Sequence, residues 1–263
     1  MPSSPDHAAT VAVITGGHQG LGLAIAERLI AEGCRKLVLS GRNAAKGDPV
    51  AERLAVGGVQ VRFMVADMGD AAAACGLIDR AAAAFGMVNA LCNAAAATDR
   101  GSILDTKRAA WDNLMNTNAR GPFFALQRMA QGAVALGQPA SAVNILSMVV
   151  HCGQSFLAPY SASKAALANV TKNAAQALRV HRIRVNGINC GWMDTPGEDE
   201  TQRRYHGAQD GWLQAAEALQ PMGMLVKPDQ VARLASFMLS PVSGVMTGAV
   251  VDFDQNVAGA YPE

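Results

Sequence analysis

Val11-Ala12-Val13-Ile14-Thr15 runs into Gly16-Gly17-His18-Gln19-Gly20-Leu21-Gly22, and spacing of the helical kind follows at Leu21, Ala24, Ile25, Arg28 and Leu29. An unbroken apolar run reads as a buried strand, and the spacing after it reads as a helix to Glu32. Glycines between them allow a tight turn. They also let backbone approach a pyrophosphate at the helix N-terminus, where free N–H groups and partial positive charge favour anions. A glycine cluster alone is common in turns; at a strand–turn–helix junction it carries information.

Working outward, short β-rich runs alternate with Ala-rich helical stretches. Strands are expected at Lys36–Ser40, Val59–Val65, Val88–Cys92, Val143–Ser147, Arg184–Ile188 and Gly248–Phe253. Helices are expected at Glu52–Ala55, Ala71–Phe85, Lys107 to about Leu136 with a bend at Gly121-Pro122, Tyr160–Leu178 and Pro228–Leu239. Continuous rather than alternating apolar strands imply a sheet covered on both faces. The predicted fold is α/β: a single-domain, Rossmann-like, doubly wound parallel sheet of about seven strands with helices on both faces, spanning 1–263. The polar stretch Gly197–Gln220 interrupts the alternation beyond the carboxyl ends of the strands, where ligands bind in such folds, and is expected to be a substrate lid.

The 263 residues are half hydrophobic and carry 22 basic and 21 acidic side chains, a net charge of +1. No basic block implies nucleic acid or an anionic membrane as partner. Cys34, Cys75, Cys92, Cys152 and Cys190 form no CxxC pair, so reduced thiols and a cytoplasmic location are expected, without disulfides or a zinc site. No metal triad at ligand spacing occurs. Neither a basic-then-apolar leader nor a membrane-length apolar run is present.

Tyr160 and Lys164 lie four apart in a predicted helix, so they share a face. A nearby ammonium favours phenolate and is expected to lower a phenol pKa that is ordinarily about 10. A tyrosine tuned in that way exchanges a proton near neutral pH, as alcohol–carbonyl interconversion requires. In isolation such a pair is more often a surface accident. Ser147, thirteen residues upstream at a strand end, would by itself be a backbone cap.

TGxxxGxG at Thr15–Gly22 together with YxxxK at Tyr160–Lys164, in this order along Thr10 to about Asn256, resembles the short-chain dehydrogenase/reductase family. The resemblance implies hydride transfer between a nicotinamide cofactor and a secondary alcohol or ketone. It implies Tyr160 as general acid/base, Lys164 lowering the phenol pKa and holding the nicotinamide ribose, Ser147 orienting the substrate, and Asn118 holding a water in a proton relay. The implied cofactor residues are Gly16, His18, Gln19, Gly20, Leu21 and Gly22, then Arg42, Asp67, Met68, Asn93, Gly191, Met193 and Thr195, with Tyr160 and Lys164. This chain departs from the family pattern at Ala94 and Ala96, in place of the NNAG amide and glycine, and at Cys190, in place of proline. Cys190 reads as a small turn residue.

Gly41 stands where NAD-preferring members carry Asp, Arg42 follows, and Ser40 offers a hydroxyl, so NADP is favoured over NAD. Gln19, where many NADP users have Arg, removes a second cation. His151 and Gln154 lie between Ser147 and Tyr160, and Trp192, Glu198, Tyr205, His206 and Trp212 lie in or beside the expected lid; polar groups in those places suit a hydroxyl-rich substrate such as a sugar or polyol. Gly244–Asn256 resembles the segment that family members pack across a two-fold axis, which implies a homo-oligomer, tetramer or dimer. A non-catalytic dinucleotide-binding sensor or scaffold, and a different reaction such as epimerisation or elimination, stay open at this point.

Overall fold

Every residue of β1 (Val11–Thr15) is buried, as expected of a strand with neighbours on both edges and helices on both faces. The computed structural model describes residues 5–260. Among these, β1 joins β2 (Lys36–Gly41), β3 (Gln60–Val65), β4 (Ala90–Asn93), β5 (Ala140–Ser147), β6 (Ile183–Cys190) and β7 (Val250–Phe253) in one parallel sheet ordered 3-2-1-4-5-6-7. The chain winds outward from β1 to one edge, returns through β4, and continues to the other. It is the doubly wound arrangement expected.

The pleat sends alternate side chains to opposite faces, and two apolar layers result. Ile14, Leu39 and Ile145 meet α1 (Gly20–Ala31) and α9 (Pro228–Leu239) through Ile25, Leu29, Val231 and Met238. Val13, Val38, Leu91 and Val185 meet α3 (Ala71–Phe85), α5 (Gly121–Leu136) and α6 (Ala158–Leu178) through Leu77, Met129 and Ala175. Burying a side chain such as Ile25, Leu29 or Leu77 completely contributes about 1.5–3 kcal/mol.

Four differences from the sequence reading have physical causes. α2 spans Ala44–Leu54 rather than a short stretch at its end. Gly47, Asp48 and Pro49 are poor helix formers, but Gly47 lies flat against the Phe63 ring, and tertiary packing overrides the propensity. β5 begins three residues early because small Ala140 and Ala142 pair with Ile183 and Val185. β6 extends to Cys190, which is therefore the last residue of a strand rather than part of a turn. The polar stretch forms two helices, α7 (Pro196–His206) and α8 (Trp212–Ala218). α7 is capped by Thr195 and carries Glu198 and Asp199 in its first turn and Arg203, Arg204 and His206 in its last, as the helix dipole favours.

The predicted Lys107–Leu136 helix is present in three pieces: α4 (Arg108–Met115), a π-helical turn Asn116–Arg120, and α5. Proline at the opening of α5 removes one backbone donor where the ladder widens.

A polar chain crosses the sheet beneath the crevice. Asn93 Nδ2 donates to Asn144 Oδ1 at 2.8 Å and to Pro122 O at 3.4 Å; Asn144 Nδ2 donates to Thr171 Oγ1 at 2.9 Å, and Thr171 donates to Leu167 O at 2.8 Å. All three side chains are buried, so removing the middle one strands its partners. Asn144→Leu should lower unfolding free energy by about 2–4 kcal/mol, read from urea denaturation. An unchanged midpoint would show that the chain of amides carries no weight.

Candidate active site

The crevice opens where the sheet reverses its winding. Thr15, at the end of β1, pairs with Asn93, at the end of β4, and the chain leaves these neighbours for opposite faces, α1 on one side and α5 on the other. Thr15 Oγ1 accepts from Ala94 N and Ala95 N, both at 3.1 Å, which fastens the two strand ends together. The missing amide and glycine of the family pattern are thus bypassed, because the fastening uses main chain at those positions.

The glycine turn is tight for a visible reason. Gly16 has φ +66, and a Cβ there would approach Ala95 N within 3.0 Å; a Cβ on Gly22 would overlap Gly16 O. Gln19 is exposed and opens α1 without a side-chain cap, so the first N–H groups of the helix face the crevice. Leu21 is buried in the core, and only its main chain is available to a ligand. Gly20 has φ +52 and lies beside the Thr195 side chain, which brings the turn and the post-β6 loop together.

At the end of β2, His18 sits over Gly41 with its ring edge-on to Phe63 at 5.8 Å. Burial, seconded by Lys46, lowers its pKa, and its Nδ1 is buried without a partner. Arg42 is exposed just beyond. Ser40 is wholly buried with its hydroxyl unpartnered among the described residues, so it does not offer that hydroxyl to a phosphate at the surface as expected. Asp67 is exposed and accepts from Gly69 N at 2.9 Å, while Asp70 is the residue that caps α3. Met68 is a core side chain. A tight glycine cradle, the free start of α1 and an exposed cation beyond β2 suit a dinucleotide.

On the other side of the crevice, Ser147 ends β5 level with Cys190 and caps a turn through Val149 N at 3.4 Å. Tyr160 and Lys164 lie in the first two turns of α6. Lys164 is 3% exposed; its Nζ donates to Ile145 O at 2.8 Å and stands 5.8 Å from the centroid of the Tyr160 ring. Burial pushes the phenol up to about 12; Ser147 and Arg100 pull the other way, while Cys190 and Glu198 add to the rise. The expected lowering by Lys164 is therefore corrected: its ammonium faces a carbonyl and the ring face, and desolvation governs the phenol. Burial also pushes Lys164 down to about 8 and Cys190 up to about 12, so Cys190 is a neutral thiol.

Asn118 is fully buried. Its Oδ1 accepts from Ala97 N at 2.8 Å, and its Nδ2 donates to Ala97 O at 2.9 Å and Ser163 Oγ at 3.0 Å. The amide braces the post-β4 loop against α6. Asn93 Nδ2 is engaged beneath the crevice, while its Oδ1 is buried without a partner among the described residues. Gly191 gives room to the Asp254 carboxylate, and Met193 bridges to Val226; Thr195 Oγ1 accepts from Glu198 N at 3.1 Å and keeps its O–H to donate.

Above the site, the Trp192 and Trp212 rings stack at 6.2 Å, and Lys227 Nζ holds Asp194 at 2.8 Å and Glu217 at 2.5 Å, so one ammonium grips both ends of α7–α8. Glu198 accepts from Trp192 Nε1, Tyr205 donates to Asp99, and His206 packs on Phe156. Gln154 is exposed. His151 lies away from this cluster, bonded to Asp252 at 2.8 Å and Asn189 at 3.1 Å. Sequence reasoning missed Thr15 as a fastener, Asn144, Ser163 and Arg100. Asn144 alone carried a signal, a lone amide within an apolar strand.

A family model described as enoyl-(acyl carrier protein) reductase matches residues 16–256. An NADP-dependent (R)-specific alcohol dehydrogenase of Lentilactobacillus kefiri is 35% identical over 92% of this chain and 94% of its own. A cis-4-hydroxycyclohexanecarboxylate dehydrogenase of Sinomonas cyclohexanicum is 32% identical over 93% of this chain and 94% of its own. A galactitol 2-dehydrogenase of Agrobacterium fabrum is 29% identical over 93% and 95%. Among solved structures, one described as a short chain dehydrogenase/reductase family protein superposes with a TM-score of 0.79 at 31% identity, covering 92% of this chain and 95% of that one. A Mycobacterium marinum short-chain type dehydrogenase/reductase gives 0.85 at 25% identity, covering 95% of each. With its glycine turn, sheet order and relatives all in agreement, the chain belongs to the short-chain dehydrogenase/reductase family.

Proposed function

We propose that the crevice holds a nicotinamide dinucleotide and that the protein interconverts a secondary alcohol and its ketone. The observation that carries the reading is the convergence of Ser147, Tyr160 and a buried Lys164 beside the open end of the switch-point crevice. When bound, the nicotinamide gives or takes the hydride. In the reducing direction Ser147 donates to the carbonyl oxygen and Tyr160 passes its proton to that oxygen as negative charge develops. In the oxidising direction Tyr160 first releases its own proton to solvent, and the phenolate oxygen then receives the alcohol proton. Lys164, fixed by Ile145 O, supplies positive charge under the phenol and a donor for ribose hydroxyls. Asn118 and Ser163 hold the geometry, Ser163 Oγ donating to Tyr160 O at 2.7 Å.

The glycine turn, with His18, Gln19, Gly20, Leu21 main chain and Gly22, takes the pyrophosphate; Asp67 and the neighbouring Met68 main chain take the adenine; Gly191, Met193 and Thr195 border the nicotinamide. Arg42, with no carboxylate at Gly41, favours NADP, and the NADP-dependent relative supports that preference. α7 and α8, 197–220, cover the substrate. Relatives named for cyclic and polyol alcohols support a small hydroxylated substrate. We also infer a homo-oligomer, dimer or tetramer, joined through Gly244–Asn256, where Val245 is 95% exposed. Free cysteines, three of them (Cys34, Cys92 and Cys190) buried with raised pKa, suit the cytoplasm. No helix among the described residues is long and apolar enough to cross a membrane. No observation favours a non-catalytic sensor.

Tyr160→Phe should abolish turnover, by at least about a thousandfold, while dinucleotide affinity measured by calorimetry stays near wild type. Near-normal turnover in that variant would sink the mechanism. Arg42→Ala should weaken NADP about tenfold more than NAD, since a charge-assisted contact to one phosphate is lost; equal weakening of both means that Arg42 does not read the phosphate. The pH profile tests the lysine. With the phenol pushed up to about 12 it stays protonated at neutral pH, and the titrating group is Lys164, pushed down to about 8. Its charge is present below that value and lost above it. Carbonyl reduction should therefore fall as pH rises through about 8, and the bend should vanish in Lys164→Met. The same bend in both proteins would assign the titration elsewhere.

A further inference from the structure

Arg100 lies in the loop after β4. Gly101 N donates to Phe156 O at 2.9 Å and Ala158 N to Gly101 O at 3.0 Å, so the loop is bridged to Leu157 at the very start of α6. Arg100 is thereby fixed beside the turn that carries Tyr160. Its guanidinium carbon stands 5.9 Å from the centroid of Phe156 and 5.8 Å from that of Tyr205, between a ring from the α6 approach and a ring from α7.

The guanidinium is held but hardly bonded. Among the described residues its side chain makes one hydrogen bond, Nη1 to Thr98 O at 3.0 Å, and its Nε is buried without a partner. Nearby carboxylates are engaged otherwise. Asp99 accepts from Tyr205 OH at 3.2 Å and from Asn113 Nδ2 at 3.1 Å; Glu198 accepts from Trp192 Nε1 at 2.8 Å and Gln202 Nε2 at 2.7 Å. A planar fork of five donors, oriented by two rings and lacking an anionic partner, is preorganised for a carboxylate. An unpaired buried donor is unfavourable, and a ligand oxygen would relieve it. The charge also reaches the reacting group, since Arg100 is one of the two influences that lower the Tyr160 pKa.

We propose that Arg100 anchors a carboxylate of the substrate, and that the substrates are hydroxy acids and their oxo-acid counterparts, with the reacting oxygen at Tyr160 and the carboxylate at Arg100. On oxidation the carbinol C–H leaves as hydride to the nicotinamide and the O–H proton goes to the Tyr160 phenolate, whose own proton has first gone to solvent; the carboxylate is unchanged. The inference rests on the oxidoreductase reading, and the experiment separates the two.

First, binding of cyclohexanecarboxylate, which has no oxidisable hydroxyl, is compared with that of cyclohexanecarboxamide by tryptophan fluorescence and calorimetry. The wild type should prefer the acid by about tenfold or more, Arg100→Met should lose the preference, and Arg100→Lys should keep part of it. Equal binding of acid and amide by the wild type overturns the proposal, whatever becomes of the variants' folding. Second, matched hydroxy acids and hydroxy amides are assayed for turnover. Arg100→Met should reduce kcat/KM about ten- to a hundredfold more for the acids than for the amides, chiefly through KM. An equal loss for both series overturns the anchor and leaves hydride transfer standing. Acid preference in binding without turnover of either series supports the anchor and sinks the hydride-transfer reading.

Discussion

Two adjacent parallel strands whose continuations depart to opposite faces cannot close the space between their ends, and this constraint organises the molecule. β1 and β4 are such a pair, and Thr15 resolves the conflict by holding the main chain after β4 with one hydroxyl. The gap that remains is narrow, floored by polar main chain and flanked by the start of α1. Glycine is required in the turn because main chain from both sides converges there, as the neighbours of Gly16 and Gly22 demonstrate. The cofactor cradle is thus a by-product of sheet topology, refined by the residues that line it.

The chemical end depends on burial. An ammonium that is 3% exposed and tied to a strand carbonyl is held where water screens it poorly, so desolvation moves Lys164 and Tyr160 in opposite directions. The simple picture of a cation acidifying a phenol gives way to a balance in which Ser147 and Arg100 act on one side and the buried surroundings, Cys190 and Glu198 on the other. Geometry keeps the pair together; the dielectric sets its protonation.

Much of this was legible in the residues. α3 and α9 have the bounds read from their patterns, and the doubly wound parallel sheet follows from alternation with covered faces. Local propensity failed at α2, where Phe63 stabilises a helix containing glycine and proline, and in the polar stretch that became α7 and α8. Tyr160, Lys164 and Ser147 announced themselves by spacing, but the fates of Ser40, Asn118 and Met68 depend on which way a side chain turns within packed surroundings. Arg100 left no local signal, because its significance comes from a bridge between residues 101 and 157 and from rings on two separate segments.

Lys227 joins Asp194, just before α7, to Glu217, near the end of α8. The intervening chain is therefore an excursion that departs from and returns to a single ammonium rooted at the start of α9, rather than a span between distant supports. The sheet and the glycine turn lie outside it. Such an excursion is a cassette: its two clasped ends fix where it starts and stops, and what lies between them can be rewritten without moving the sheet.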